Sequence, residues 1–228
     1  GVKHNVLLRI NPGVEAHTHA YVQTATPDSK FGFSIANGTA DDITNYVLSK
    51  GNLSLKGFHC HIGSQIFEKQ SFVLAAEKMI AFIAHIKNSV GFEAETLNIG
   101  GGFGIYYTDE DPKLNENDYA QYLKALCDAI KQKSVELGVK APFIALEPGR
   151  SIVGEAGVTL YTVGAIKDFP GVKKYVAVDG GMFDNPRYAL YESEYSAMIA
   201  NKADKPADET VTIAGKCCES GDTIAKDI

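Results

Sequence analysis

Thr96-Leu97-Asn98-Ile99-Gly100-Gly101-Gly102-Phe103-Gly104 is the stretch on which the reading of this chain turns. Thr96 to Ile99 reads as a short strand, and glycines dominate the five residues after it. Consecutive glycines after a strand let main-chain N–H groups converge on a phosphate, since no Cβ stands in the way. They serve a plain structural turn equally well. The segment has neither the Lys-Ser/Thr of a P-loop nor the spacing of G-x-G-x-x-G. Its meaning therefore depends on what flanks it.

Upstream, Asn5 to Ile10 reads as a buried strand ending in Asn11-Pro12-Gly13. A helix is expected from about Thr39, with Asp41 and Asp42 in an acid-rich first turn and Ile43, Tyr46 and Val47 on one face. Leu53 to His61 reads as the next strand. Lys69 to Ser89 reads as a long helix, because Phe72, Ala75, Ala76, Met79, Phe82, Ile83 and Ile86 keep near-helical spacing. Downstream, Asp118 to Leu137 is a third helix closed by Gly138, and Phe143 to Leu146 a fourth strand.

This βαβαβαβ rhythm implies a parallel sheet with right-handed crossovers. Polar or glycine-rich motifs come after every strand: Asn11-Pro12-Gly13, His61-Ile62-Gly63-Ser64-Gln65, the glycine loop, and Glu147-Pro148-Gly149-Arg150. Function spread over all the carboxyl ends is barrel behaviour, whereas an open sheet concentrates it at one switch point. The expected fold class is α/β, the second half of a (β/α)8 TIM-type barrel over residues 1–154. Residues 155–228 change character. Val158 to Ile166, Lys174 to Val178 and Thr210 to Ala214 are short β-rich runs, read as the start of an antiparallel β domain.

The 228 residues are 45% hydrophobic, enough for a sizeable core, and the net charge of −6 argues against nucleic acid or anionic membranes as partners. No apolar run approaches the roughly 20 residues that span a bilayer. The four cysteines, Cys60, Cys127, Cys217 and Cys218, show neither C-x-x-C spacing nor a secreted disulfide framework, which suits a reducing cytoplasmic setting. Of 22 basic residues only Arg9, Arg150 and Arg187 are arginines. A rare arginine among lysines is suited to a planar grip on carboxylate or phosphate.

A carboxylate such as Glu147 at the end of an inward strand is costly to bury unless a cation accepts it. A protonated pyridine nitrogen would be one such partner, and a ligand-free Glu147–Arg150 ion pair is the alternative. Arg150 suits phosphate or a substrate carboxylate. His59-Cys60-His61 places both histidines on one side of a strand, either as core residues or with His61 stacked on a flat cofactor. No convincing further ligand set accompanies them, so a metal is not expected. In Cys218-Glu219-Ser220-Gly221-Asp222 the acidic neighbours disfavour a thiolate, and the cysteine suits a proton donor better than a nucleophile.

In this order the motifs resemble the fold-type III pyridoxal-phosphate decarboxylases, most of all the branch acting on meso-diaminopimelate. The resemblance also covers Arg9-Ile10-Asn11-Pro12-Gly13, Ala16-His17-Thr18-His19, Lys30-Phe31-Gly32 and Arg187-Tyr188-Ala189-Leu190-Tyr191. It implies pyridoxal 5′-phosphate as cofactor, with His61 stacked on the ring and Glu147 holding the ring nitrogen protonated. It implies that Ser64, Gly100, Gly101, Gly102 and the backbone of Pro148, Gly149 and Arg150 bind phosphate. Arg150, Arg187 and Tyr191 would contact an amino-acid substrate, and Glu219 its distal amino group. Cys218, reaching in from the second subunit of a homodimer with shared active sites, would donate the proton that replaces carbon dioxide. L-lysine would be the product.

Tyr188 stands where the family usually has proline, and Lys216-Cys217 before Cys218 is unusual. No lysine here lies in the Val-Lys-Ala-Asn-like context that forms the family's internal aldimine, and Lys30 belongs to Lys-Phe-Gly. The chain is accordingly expected to be a fragment, inactive alone, lacking that lysine and the later β strands. The alternatives are a related decarboxylase acting on ornithine, arginine or carboxynorspermidine, or a homologue that only binds cofactor or a partner.

Overall fold

A computed structural model describes residues 1–14 and 29–228, so the Ala16-His17-Thr18-His19 segment lies outside the described residues. The chain divides into two compact units. The first comprises Gly1–Ile105 and Lys113–Glu155, the second Tyr106–Pro112 and Ala156–Ile228.

In the first unit, strands β1 (His4–Asn11), β2 (Phe33–Ser34), β3 (Leu53–His59), β4 (Thr96–Asn98) and β5 (Phe143–Ala145) form one sheet in the order β2-β1-β3-β4-β5. Every pairing is parallel. Helices α1 (Thr39–Leu48), α2 (Lys69–Val90) and α3 (Glu116–Glu136) connect β1, β3, β4 and β5. From β1 onward each crossover leads to the adjacent strand in one direction. Right-handed crossovers of that kind place the successive helices on the same face.

The core lies on that helical side. The α2 residues Phe72, Ala75, Ala76, Met79, Phe82, Ile83 and Ile86 are all buried, as their spacing requires. They meet the outward residues of the strands: Phe58 is fully buried, with its ring edge-on to Phe82 at 5.0 Å. Burying such a ring stabilises by about 2–3 kcal/mol. Helix α2 ends where Gly91 turns left-handed at φ 74°. Helix α3 starts two residues before the expected Asp118, because Asn115 and Asp118 form a capping box. It buries only Leu126, Ile130 and Ser134.

The opposite sheet face is different. Parallel register aligns Arg9 with His59, His59 with Asn98, and Asn98 with Ala145, so these residues form one row. Below it Leu7, Gly57, Thr96 and Phe143 form another, and Phe143 is 73% exposed. Strand alternation thus sends Leu8, Phe58 and Leu97 to the helices. It leaves Arg9, His59 and Asn98 near the strand ends, with Leu7 and Phe143 below them, on the face that carries no helix among the described residues.

The second unit holds β6 (Val163–Phe169), β7 (Lys173–Val178), β8 (Thr212–Ala214) and β9 (Thr223–Ala225), in that order across a sheet. The sheet is mixed, which corrects the antiparallel expectation: β6–β7 and β8–β9 are antiparallel, but β7–β8 is parallel. The run expected from Val158 forms a strand only from Val163. The Asp179 carboxylate takes the Thr162 N–H at 2.8 Å, ending the ladder there. Short helices α4 (Arg150–Val153) and α5 (Arg187–Tyr191) complete the elements used below. Among the described residues no helix is long and apolar enough to cross a membrane.

Candidate active site

The carboxyl ends of β3, β4 and β5 remain tied together beyond the strands themselves. Cys60 N–H donates to Asn98 O, Ile99 N–H to Ala145 O, and Glu147 N–H to Gly100 O, at 2.8, 3.1 and 2.8 Å. The motif residues therefore stand on extended ladder hydrogen bonds rather than on loose loops. At the end of β1, Asn11 Oδ1 accepts the Gly13 N–H at 2.9 Å, while Lys78 from α2 donates to Gly13 O at 2.7 Å.

The glycine loop is wedged between its neighbours. A Cβ on Gly101 would lie 2.1 Å from Glu147 O, one on Gly102 2.0 Å from Gly63 O, and one on Gly100 2.6 Å from Cys60 O. Gly100 and Gly102 also adopt φ of 76° and 97°. Close approach of backbone to backbone is thus one reason for the triple glycine, independent of any ligand. The Gly100 N–H is bonded to Asn98 Oδ1 at 2.8 Å, and the Gly101 N–H faces His61 Nδ1 at 3.4 Å.

Glu147 lies just beyond β5. Asn98, 9% exposed, donates Nδ2 to Glu147 Oε1 at 2.8 Å. Glu147 Oε2 stands 3.5 Å from His59 Nε2, and among the described residues that buried nitrogen makes no hydrogen bond. The glutamate side chain is 58% exposed, against the expectation of burial, because the face it occupies is not covered by helices. Burial holds both histidines below the ordinary imidazole value. The nearby Arg9 charge adds to this, while Glu147 opposes it. Both are therefore neutral at pH 7. Cys60 points away into the core, fully buried, its thiol pushed up to about 12 chiefly by burial.

Arg150 begins α4 and reaches the loop after β3. Its Nη2 donates to Ser64 Oγ at 2.9 Å and its Nη1 to Gln65 Oε1 at 3.3 Å. Gln65 in turn clasps the Ile105 backbone, accepting its N–H at 3.2 Å and donating to its carbonyl at 2.5 Å. Gln65 does so from a left-handed φ of 59°, a conformation that a non-glycine residue holds only when its surroundings enforce it.

Within the second unit, Arg187 lies with its guanidinium 5.6 Å from the Tyr107 ring centre and donates to Ser193 Oγ at 3.2 Å. Its Nε is buried and has no hydrogen-bond partner among the described residues. Tyr191 ends α5, four residues on and half-buried. Cys218 and Glu219 are exposed. The turn that carries them is anchored by buried Asp222, whose carboxylate accepts the N–H of Met182 at 2.6 Å and of Cys217 at 2.7 Å. The Cys217 thiol is raised in pKa by burial and by Asp222.

Asn98, Gln65, His59 and Arg9 all lie within the quoted motifs, but the sequence assigned none of them a role in this cluster. An amide two residues before the first glycine of the loop was a usable signal for Asn98. Nothing local marks Gln65, whose partners lie 40 and 85 residues away.

A parallel sheet with carboxylate, imidazole and guanidinium groups at its strand ends is the setting in which the family comparison falls. Residues 2–154 match the model of the pyridoxal-dependent decarboxylases, pyridoxal binding domain, and the chain belongs to that family. Among its relatives, the diaminopimelate decarboxylase of Bacillus subtilis is 51% identical over 98% of this chain and 50% of its own length. That of Staphylococcus aureus is 50% identical over 97% of this chain and 51% of its own length. The chain spans about half the length of the curated relatives it matches. Among solved structures, diaminopimelate decarboxylase from M. jannaschii superposes with a TM-score of 0.80 at 35% identity, covering all of this chain and 50% of that one. The Helicobacter pylori enzyme complexed with L-lysine gives 0.80 at 30% identity, again over all of this chain and 53% of that one.

Proposed function

We propose that the protein containing this chain decarboxylates meso-diaminopimelate to L-lysine with pyridoxal 5′-phosphate. The carrying observation is the end of β5. Within four residues it offers Glu147, held by Asn98, and Arg150, locked onto Ser64. A carboxylate for a ring nitrogen and a guanidinium–hydroxyl pair for a phosphate are what this cofactor requires at its two ends. When bound, the cofactor supplies the electron sink for the charge left as carbon dioxide departs.

The residues present fit that group. Glu147 Oε2, outside hydrogen-bond geometry with His59, is the acceptor for a pyridinium N–H. His61, its pKa lowered by burial, would hold the cofactor ring by stacking without adding a second positive charge. Its contact with the Gly101 N–H fixes the ring beside the glycine loop. Ser64, Arg150 and the main chain of Gly100, Gly101, Gly102, Pro148 and Gly149 form the phosphate end. The substrate carboxylate goes to Arg187, whose Nε is a donor with no acceptor among the described residues. Tyr191 lies beside it in the helix and contacts the substrate, as does Arg150. Glu219 receives the distal amino group, and Cys218 of a second subunit delivers the proton in a homodimer.

The one-directional order β1-β3-β4-β5, with Arg9, His59 and Asn98 on the opposite face, supports half of a (β/α)8 barrel over residues 1–154. Residues 155–228 then begin the second domain. The test is turnover: the purified full-length protein with cofactor is given meso-diaminopimelate, ornithine, arginine and carboxynorspermidine separately. Lysine released from the first substrate is expected. Release of product from another substrate alone would overturn the assignment.

A further inference from the structure

We infer that Asn98 is a positioning residue that decides which oxygen of Glu147 is presented to the cofactor ring. The inference rests on Glu147 being the partner of the ring nitrogen.

The argument is one of hydrogen-bond polarity. The Gly100 N–H can only donate, so the atom facing it at 2.8 Å must be the side-chain oxygen of Asn98. That contact fixes the orientation of the amide. Its NH2 group then faces Glu147 Oε1 at 2.8 Å, and since it too can only donate, Oε1 must accept. A third bond, Glu147 N–H to Gly100 O at 2.8 Å, closes a ring through the end of β4, the glycine loop and the segment after β5. Asn98 is 9% exposed, so water competes poorly for it. Glu147, by contrast, is 58% exposed, and of its two oxygens the ring takes only Oε1. Oε2 is the oxygen left to receive a ligand donor. Asn98 thus couples the glycine loop to the carboxylate: the loop sets the amide, and the amide sets the carboxylate.

Two substitutions in the full-length protein separate this role from simple support of the loop. Asn98→Leu keeps the branched shape and the number of heavy atoms, though it is bulkier, and removes both side-chain bonds. Asn98→Asp keeps the acceptor for the Gly100 N–H but sets a carboxylate oxygen against Glu147 Oε1. Each apoprotein is titrated with pyridoxal 5′-phosphate by absorbance between about pH 5.5 and 8, alongside thermal unfolding. Arg9 on β1, His59 and His61 at and after the end of β3, and Glu147 itself are the charged or titratable groups around the amide. They are common to all three proteins, so each variant is compared with wild type at the same pH.

Both variants are expected to bind about 10-fold or more weakly near pH 8. Asn98→Asp alone should recover towards wild type as the pH falls, because a protonated aspartic acid can donate to Oε1 as the amide does. Weakened binding in Asn98→Leu with wild-type affinity in Asn98→Asp at every pH would reduce Asn98 to loop support and overturn the inference, and equal, pH-independent losses in both variants would overturn it as well. Wild-type affinity in both would do the same. A wild-type protein that bound no cofactor at all would instead overturn the reading of Glu147 on which the inference rests.

Discussion

Arg150 Nη2 lies 2.9 Å from Ser64 Oγ, joining the first residue of α4 to the loop after β3. The same guanidinium reaches Gln65, which holds the Ile105 backbone. Arginine suits this place because its planar fork serves two acceptors at once, whereas lysine offers a point charge. Arg150→Lys is therefore expected to weaken cofactor binding by roughly 10- to 100-fold, the worth of one or two charge-assisted hydrogen bonds. Ser64→Ala should cost less, about 3- to 10-fold, since it removes one neutral group. Titration of the apoprotein with pyridoxal 5′-phosphate measures both. An Arg150→Lys protein with wild-type affinity would remove Arg150 from the phosphate end.

The glycines make a second, independent prediction. A Cβ at Gly57 would fall 1.8 Å from Thr96 O, and its φ of 148° is itself unfavourable for other residues. Gly57→Ala must push β3 and β4 apart, at roughly 2–4 kcal/mol of stability. Gly101→Ala meets Glu147 O at 2.1 Å and should displace the segment carrying Glu147, losing cofactor affinity as well as stability. Gly51 has nothing within 4 Å and no positive φ, so Gly51→Ala is expected to stay within about 0.5 kcal/mol of wild type. Denaturant unfolding of the three variants decides the order. If Gly57→Ala were no less stable than Gly51→Ala, the packing account would be wrong.

These glycines also show what the sequence could and could not reveal. The apolar stripe of α2 was legible because periodicity is a local property, and all seven of its marked residues are buried. The parallel sheet was legible in the alternation of elements. Strand β2 is only Phe33–Ser34 and exists through pairing with Ile10 and Asn11, so no local pattern could announce it. Strand β6 is exposed along its whole length and shows no inside–outside alternation, so nothing in the residues marks where it starts. The mixed second sheet escaped because the parallel pairing of β7 with β8 joins segments more than 30 residues apart. In the site, His61, Glu147 and Arg150 stood out by residue type and motif. Asn98 and Gln65 did not, since an amide has no chemistry of its own until its partners are known.

The two histidines give the site an acid sensitivity with a definite sign. Burial lowers the folded-state pKa of His59 and His61 below 6.5. Above that value both folded and unfolded chains hold neutral imidazoles, and the histidines add no pH dependence. As the pH falls through 6.5 the unfolded chain takes up protons before the native one, so stability declines towards the lower folded-state values. The denaturant midpoint should therefore drop as the pH falls from about 6.5 to 5, before most carboxylates titrate. His59→Phe removes the buried Nε2 that makes no hydrogen bond among the described residues and should flatten that slope. An unchanged slope in His59→Phe would show that His59 does not titrate differently on folding.

Asp222 governs the turn that carries Cys218. Its carboxylate accepts the Met182 and Cys217 N–H groups from two separate segments while 4% exposed. Gly215 and Gly181 leave it room, since a Cβ on either would lie 2.3 or 2.8 Å from its oxygens. Asp222→Ala strands two part-buried donors, a loss of roughly 1–3 kcal/mol. Asp222→Asn keeps the shape, but its amide can accept from only one of the two N–H groups and must turn a donor towards the other. An intermediate loss is expected. The same change should be read by the thiols, because freeing the Cys217 N–H loosens the turn and removes the carboxylate that helps raise the Cys217 thiol. Cys217 should then react faster with a thiol reagent, while exposed Cys218 changes little in rate but loses its fixed position. Asp222→Ala with wild-type stability and wild-type Cys217 labelling would show that the turn is held by other contacts. Faster labelling together with lost turnover, but with cofactor affinity retained, would place the role of Asp222 in presenting Cys218 rather than in binding the cofactor.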